Sequence, residues 1–188
     1  MRVLVLFSAS FLNLFFQARS ASLLSRTLVC ANDGITKAGT LFNRREVALS
    51  PVNPQPRAPI PLPPSPLIWC GIGTTTYLII DYYNEFPEGS PTSPIILSVL
   101  RDAIVSINDY IQQHGDGLIA GGQYKFADYG TSWLSVNAGN HQQTWGVLRT
   151  AIEAFAHYMI TYSTYGSAGF QIFDGRNQVA YGTLYAVA

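Results

Sequence analysis

The chain has 188 residues and no net formal charge; 48% of its residues are hydrophobic and 12% are charged. The charged share is about half of that in a typical soluble domain, which excludes a disordered polyelectrolyte and favours a packed domain. Residues 1–66 hold seven Lys or Arg against two Asp or Glu, whereas residues 67–188 hold four against nine. Because this larger part is acidic, it would repel phosphate-rich partners, which argues against nucleic acid and anionic lipid surfaces.

The N-terminus has the pattern of a secretory signal peptide. Arg2 provides a positive start, residues 3–16 are largely apolar, and Ala18 and Ser20 have the small-residue spacing of a cleavage site. The apolar run is shorter than the roughly 20 residues that a membrane-spanning helix needs. We therefore predict a signal peptide over residues 1–20, cleavage after Ser20, a secreted, extracellular protein, and no membrane span after signal removal.

Residues 21–66 are predicted to form a pro-segment or proline-rich linker. Eight prolines stand in residues 51–66; because proline fixes φ and removes backbone donors, we expect an extended polyproline spacer there. Arg44 and Arg45 form a dibasic pair, which in a secretory precursor is either a processing site or part of a solvated tail. A single folded domain is therefore expected over residues 67–188.

The chain has two cysteines, Cys30 and Cys70, and export permits disulfide formation. A bridge between them would close a loop of about 40 residues and stabilise the fold by about 4 kcal/mol in the chain-entropy model. A free buried thiol at Cys70 is the alternative, because Cys30 lies in a stretch with weak secondary-structure signals. The pair is a candidate disulfide.

Two segments of the chain resemble each other and predict two related helices. "VLRDAIVSINDYI" at 99–111 and "VLRTAIEAFAHYM" at 147–159 share Val, Leu, Arg, Ala, Ile and Tyr at equivalent places. In both segments apolar residues recur at three- and four-residue spacing, which indicates an amphipathic helix. Each apolar face must be covered, so we expect both helices to pack on a sheet.

Strand patterns surround these helices. Residues 74–83 are rich in β-branched and aromatic side chains. A hairpin is predicted between the helices, with strands near 123–128 and 131–137, and a second hairpin follows them, with a final strand at about 178–186. The order β-α-β-β-α-β-β predicts an α+β fold of the split βαβ, ferredoxin-like type. It would be a two-layer sandwich in which an antiparallel sheet of about five strands carries two helices on one face.

The sequence shows no catalytic or cofactor motif. None of the three histidines has metal-ligand spacing, His157 is expected on a solvated helix face, and no G-x-S-x-G nucleophile elbow occurs. Asp81, Glu85 and Glu88 would supply a carboxylate pair for glycoside hydrolysis, but each also suits a solvated strand end or loop. We therefore predict no catalytic, metal-binding or cofactor-binding residue and no cofactor.

Aromatic residues carry the clearest functional signal. The chain has 11 Tyr, 10 Phe and 3 Trp, and the tyrosines outnumber what the core is expected to hold. Tyr and Trp combine an apolar face with a polar tip and favour interfaces. We consider Tyr129, Trp133, Tyr181 and Tyr185 candidate surface-binding residues for an extracellular protein or glycan; the alternative is that each one only decorates a surface of low charge.

Residues 144–184 carry a resemblance to a known group of proteins. "TWGVLRTAIEAFAHYM" followed by "GFQIFDGRNQVAYGTL" resembles the C-terminal part of small secreted proteins of filamentous fungi. Two helices on an antiparallel sheet are also similar to virally encoded fungal killer toxins and related effectors, although those toxins are rich in cysteine and the domain here has only Cys70. The export signal, the compact αβ domain, the missing catalytic motifs and the aromatic excess favour a secreted, non-enzymatic interaction protein, effector-like or toxin-like. The alternative is a small secreted hydrolase or carbohydrate-binding protein that acts on cell-wall material.

Overall fold

The computed structural model describes residues 28–43, 62–87, 89–90, 92–139 and 141–187. The predicted signal peptide with Ser20, the Arg44–Arg45 pair and most of the proline-rich stretch lie outside the described residues. Within the described part the chain has six strands and two α-helices.

These elements form one two-layer unit. The strands are β1 (Leu67–Cys70), β2 (Thr76–Glu85), β3 (Gln123–Asp128), β4 (Thr131–Asn137), β5 (Gly166–Asp174) and β6 (Asn177–Ala186), and the helices are α1 (Thr92–His114) and α2 (Trp145–Tyr162). All strand pairs are antiparallel, in the order β1-β2-β5-β6-β4-β3. The two helices contact each other and share one core with the sheet. The predicted α+β sandwich is therefore confirmed.

The sheet is wider than predicted. Residues 67–70 pair with β2 as an additional edge strand. Helix α1 connects β2 and β3, which have three other strands between them, and α2 connects β4 and β5, which have β6 between them. Because every neighbouring pair is antiparallel, the two strands that each helix joins run in the same direction. Each unit is thus a split βαβ arrangement, in a sheet with more strands than a four-stranded ferredoxin-like one.

The apolar stripes of the two helices are buried against the sheet, as the sequence predicts. Leu100 and Leu148 occupy equivalent positions in the two helices, and both are fully buried. Helix α2 begins after Thr144, whose side chain accepts a hydrogen bond from the backbone N–H of Val147 at 3.3 Å. It ends at Ser163, which has the left-handed conformation that commonly closes a helix. Both helices therefore cover the same sheet face.

Trp133 is part of this core, so the prediction that it belongs to a binding surface is wrong. Its side chain is fully buried and stacks on Phe170, with ring centroids 4.3 Å apart. The alternation of β4 directs Thr131, Trp133 and Ser135 towards the helices. Strand register, and not the polar tip of the indole, determines where this residue lies.

Residues 28–43, here called the N-terminal segment, pack on the sheet, although the sequence places them in a pro-segment or linker. A disulfide joins Cys30 to Cys70, so the candidate bridge is present. The side chain of Asn32 donates to the carbonyl of Cys70 at 2.7 Å and accepts from its N–H at 3.0 Å. Cys30, Phe42, Cys70 and Tyr77 form a second, smaller core. The segment thus belongs to the folded unit and covers one end of the sheet face opposite the helices.

Candidate functional site

Among the described residues, only the N-terminal segment covers part of the sheet face opposite the helices, and the rest of this face is here called the open face. Along β6, Ala180 and Leu184 point into the core, and the alternating residues Tyr181 and Tyr185 are 51% and 59% exposed. Thr183 lies between the two tyrosines and is also exposed. An antiparallel sheet with one packed and one solvated face shows this alternation. The two tyrosines that the sequence singled out on β6 therefore lie on one uncovered surface.

A β-bulge in β2 adds two neighbouring side chains to this open face. The register between β2 and β5 shifts between Ile80 and Tyr82, so Asp81 has no residue opposite it. The side-chain amide of Gln171 on β5 donates to the two carboxylate oxygens of Asp81, at 2.9 and 3.1 Å. Tyr82 is 49% exposed. Bulges occur frequently where a strand must redirect a side chain towards a functional site.

The ring of Tyr82 lies against the backbone of the next strand. A Cβ atom at position 169 would overlap this ring, so Gly169 provides the space that the ring occupies. Gly169 pairs in turn with Thr183 on β6. The ring of Tyr82 is therefore held over β5, beside the strand that carries Tyr181 and Tyr185.

These residues define what we call the tyrosine face. Gln171 pairs directly with Tyr181 across β5 and β6, and β4 flanks the other side of β6 with Leu134 opposite Thr183. The strands of a sheet lie about 4.8 Å apart, so the group is contiguous. Its members are Asp81, Tyr82, Gln171, Tyr181, Thr183 and Tyr185.

Tyr129 is exposed but lies apart from the tyrosine face. It occupies the turn between β3 and β4, with a φ of 45°, and Gly130 follows with a φ of 74°. Two left-handed residues in succession are typical of a tight hairpin turn. The carboxylate of Asp128 stabilises this turn by accepting the backbone N–H of Tyr129 at 2.9 Å. The structure therefore places Tyr129 at the end of the hairpin, beyond β4.

A pocket of about 490 Å³ lies at the β1 edge of the sheet, between the N-terminal segment and α2. We call it the edge pocket. His157 lines it, half-buried, with its ring 5.6 Å from that of Trp69, so the prediction of a solvated helix face for this histidine is wrong. The carboxylate of Asp33 also lines the pocket and accepts the backbone N–H groups of Ile35 and Thr36, both at 2.9 Å. The pocket thus combines one carboxylate and one imidazole.

The acids considered for glycoside hydrolysis have separate partners. Glu85 accepts a hydrogen bond from the hydroxyl of Thr164 at 2.7 Å, whereas Asp81 binds Gln171 on the open face. Glu88 lies outside the described residues. In the described part of the chain, no group of three or more His, Cys, Asp or Glu is placed to hold a metal ion.

No family model, curated protein or solved structure matches the chain. Among the helices that the structure describes, none is long and apolar enough to cross a membrane. The tyrosine face and the edge pocket are the candidate functional sites among the described residues.

Proposed function

We propose that the protein is a secreted interaction protein, effector-like or toxin-like, that binds an extracellular partner through the tyrosine face. The observation that supports this function is the exposure of Tyr82, Tyr181 and Tyr185 together on an uncovered sheet surface. A tyrosine ring offers a large apolar area with few rotatable bonds, and its hydroxyl pairs with polar groups, so tyrosine suits binding surfaces.

Secretion is supported by three features of different origin. Residues 1–20 have the pattern of a signal peptide. The Cys30–Cys70 disulfide fits an oxidising compartment, where such bonds form and persist. The likeness of residues 144–184 to small secreted proteins of filamentous fungi favours the same location.

The test compares the binding of secreted protein to intact fungal cells. The wild type and the double variant Tyr181→Ala/Tyr185→Ala are incubated with cells, and the bound fraction is measured after washing. We expect the wild type to bind and the variant to bind about tenfold more weakly, because exposed aromatic anchors contribute most of the energy of an interface.

A matched control comes from the helix layer. Val105 and Ile160 are 52% and 58% exposed, nearly the same as the two tyrosines, but they lie on α1 and α2. The variant Val105→Ala/Ile160→Ala should bind cells as the wild type does. Equal binding by the tyrosine variant and the wild type, or no binding by the wild type, contradicts the proposed function.

A hydrolase centred on the edge pocket is the second candidate, because Asp33 and His157 both line it. A carboxylate and an imidazole are the usual groups for general acid-base catalysis. The test measures turnover of chromogenic esters and glycosides by the wild type, Asp33→Asn and His157→Ala. Turnover that both substitutions abolish would support this candidate, and a wild type without turnover contradicts it.

A further inference from the structure

The open face is nearly free of charge and rich in neutral hydrogen-bonding groups. By strand alternation, Asp81 and Lys125 are the charged residues among the described strand positions on this side, and they have opposite signs. The remaining polar groups nearby are hydroxyls and amides, such as those of Thr183, Gln171 and Ser132. An anionic partner would find no cluster of cations here.

The aromatic rings form a triangle, with Tyr181 and Tyr185 on β6 and Tyr82 over β5. Tyr181 and Tyr185 are four residues apart on β6, a separation of about 13 Å along the strand. Tyr82 lies over Gly169, which pairs with Thr183 at the midpoint between them. Three exposed rings on one sheet face provide separate stacking positions for the C–H faces of sugar rings, since an aromatic face attracts polarised C–H groups.

Asp81 and Gln171 place hydrogen-bonding groups beside these rings. Both carboxylate oxygens of Asp81 accept from Gln171, and each oxygen keeps a further lone pair for another donor. Because the bulge places Asp81 beside Tyr82, a hydroxyl pair on a sugar stacked over the ring would have a fixed acceptor within reach. A rigid hydrogen-bonded carboxylate next to an aromatic ring suits a polyhydroxylated ligand.

We propose, resting on the proposed function above, that the ligand of the tyrosine face is a neutral polysaccharide. Thr183 and Gln171 lie beside these rings and place polar groups between the stacking positions. The core of a protein–protein interface is instead more apolar than the rest of the surface.

The test is isothermal titration calorimetry with the full secreted protein. Cellohexaose and chitohexaose are the neutral probes, and an oligogalacturonate of the same length is the anionic probe. We expect saturable binding of at least one neutral probe and none of the anionic one.

Substitutions locate the site. Tyr181→Ala and Tyr185→Ala should each weaken binding by about tenfold, whereas Tyr181→Phe and Tyr185→Phe should retain it, because the ring provides the stacking. Asp81→Asn should weaken binding without lowering the melting temperature, since the substitution keeps the size of the side chain. The variant Val105→Ala/Ile160→Ala should bind as the wild type does, and equal melting temperatures would establish that the variants are folded.

Two results overturn this inference. One is that neither neutral probe binds, although the protein binds intact cells in a tyrosine-dependent manner; the proposed function then stands and the ligand is of another class. The other is that a neutral probe binds the tyrosine variants as tightly as the wild type, which would place the sugar site elsewhere. Failure of the proposed function itself is recognised separately, by cell binding that does not depend on the tyrosines.

Discussion

The hydroxyl group of Tyr124 on β3 is buried and, among the described residues, has no hydrogen-bond partner. Its ring packs edge-on against Trp145, with centroids 5.7 Å apart. Burial raises the pKa of Tyr124 to about 12 from the ordinary value of 10.0, because the low-dielectric surroundings disfavour the phenolate. In the unfolded chain this hydroxyl would ionise at a lower pH than in the folded protein.

Tyr124 should therefore contribute to alkaline unfolding. Ionisation of Tyr124 has no effect on stability below pH 10 and lowers the stability as the pH rises from 10 to about 12, because only the unfolded state releases the proton over that interval. We expect Tyr124→Phe to leave the melting temperature at neutral pH unchanged or slightly higher, since it removes an unsatisfied hydroxyl. The fall of the melting temperature above pH 10 should be smaller in the variant. Parallel curves of melting temperature against pH for the two proteins would disprove the assignment.

Gly169 is required by the ring of Tyr82 and not by its own backbone conformation. We predict that Gly169→Ala forces the half-exposed ring off the sheet, because the added Cβ would overlap it. The loss of folding free energy should be about 1 kcal/mol, the centre of the range for single substitutions, while binding to cells or sugars falls. Gly117→Ala is the control, because nothing lies within 4 Å of a Cβ there. Unchanged binding by Gly169→Ala would show that the position of Tyr82 has no role.

At the level of elements, the two related helices differ in the contacts of their equivalent arginines. The guanidinium of Arg149 on α2 donates to the side-chain oxygen of Asn108 on α1 at 3.2 Å, and it lies 3.7 Å from Glu153. Arg101, at the equivalent position of α1, is largely exposed and lies 3.9 Å from its neighbour Asp102. The repeated pattern therefore gives equal apolar faces but unequal polar ones.

This difference predicts an order of stabilities. Leu100→Ala and Leu148→Ala should each lower the free energy of unfolding by about 2–5 kcal/mol, the range for large-to-small core changes. Arg101→Ala should change it by less than about 0.5 kcal/mol, and Arg149→Ala should cost more than Arg101→Ala because it removes the contact between the helices. Urea denaturation of the four variants measures these values. Silent leucine changes alongside destabilising arginine changes would mean that the helix faces are assigned backwards.

Local patterns predict the helices and hairpins because their periodicity lies within a few residues of the chain. The edge strand β1 escapes prediction since it has four residues directly after a proline-rich stretch and depends on pairing with β2. The packing of the N-terminal segment could not be predicted for a similar reason. Its contacts, the Cys30–Cys70 disulfide and the backbone hydrogen bond from Phe42 to Thr74, join positions that are distant in the sequence. The edge pocket requires that segment, so sequence patterns could not have located it.

The tyrosine face could be predicted only in part. In β4, Leu134 and Val136 are the more apolar alternating set, which favours them for the core, yet Trp133 is the residue that faces the helices. Ser135 accompanies it inward and bonds with Gln143, at 3.2 and 3.1 Å in the two directions. The core thus takes the large ring of Trp133 and the hydrogen-bonded pair of Ser135 and Gln143 in preference to two aliphatic side chains. The bulge at Asp81 leaves no signal in composition either, because both registers use strand-forming residues.

For the whole molecule, the disulfide determines the outcome of any cleavage at the dibasic pair. We predict a mature N-terminus after Ser20, or after Arg45 if that pair is cut. A cut after Arg45 would leave the preceding segment attached through Cys30 and Cys70. Mass measurement of the secreted protein should then show one species without reductant and two with it. N-terminal sequencing that begins at Met1 would contradict both cleavage positions.

The hydrogen bonds of the N-terminal segment also determine how copies of this sheet can associate. The backbone N–H of Ala31 donates to the carbonyl of Ile68 at 2.8 Å, and Asn32 occupies both backbone groups of Cys70, so the outer edge of β1 is already paired. Among the described strands, β3 alone has a free outer edge. A sheet that can grow at one edge only can join a second copy edge to edge and then stops, because the pair has no free edge left. Self-association through the described strands would therefore end at a twofold dimer and would not continue into a fibre.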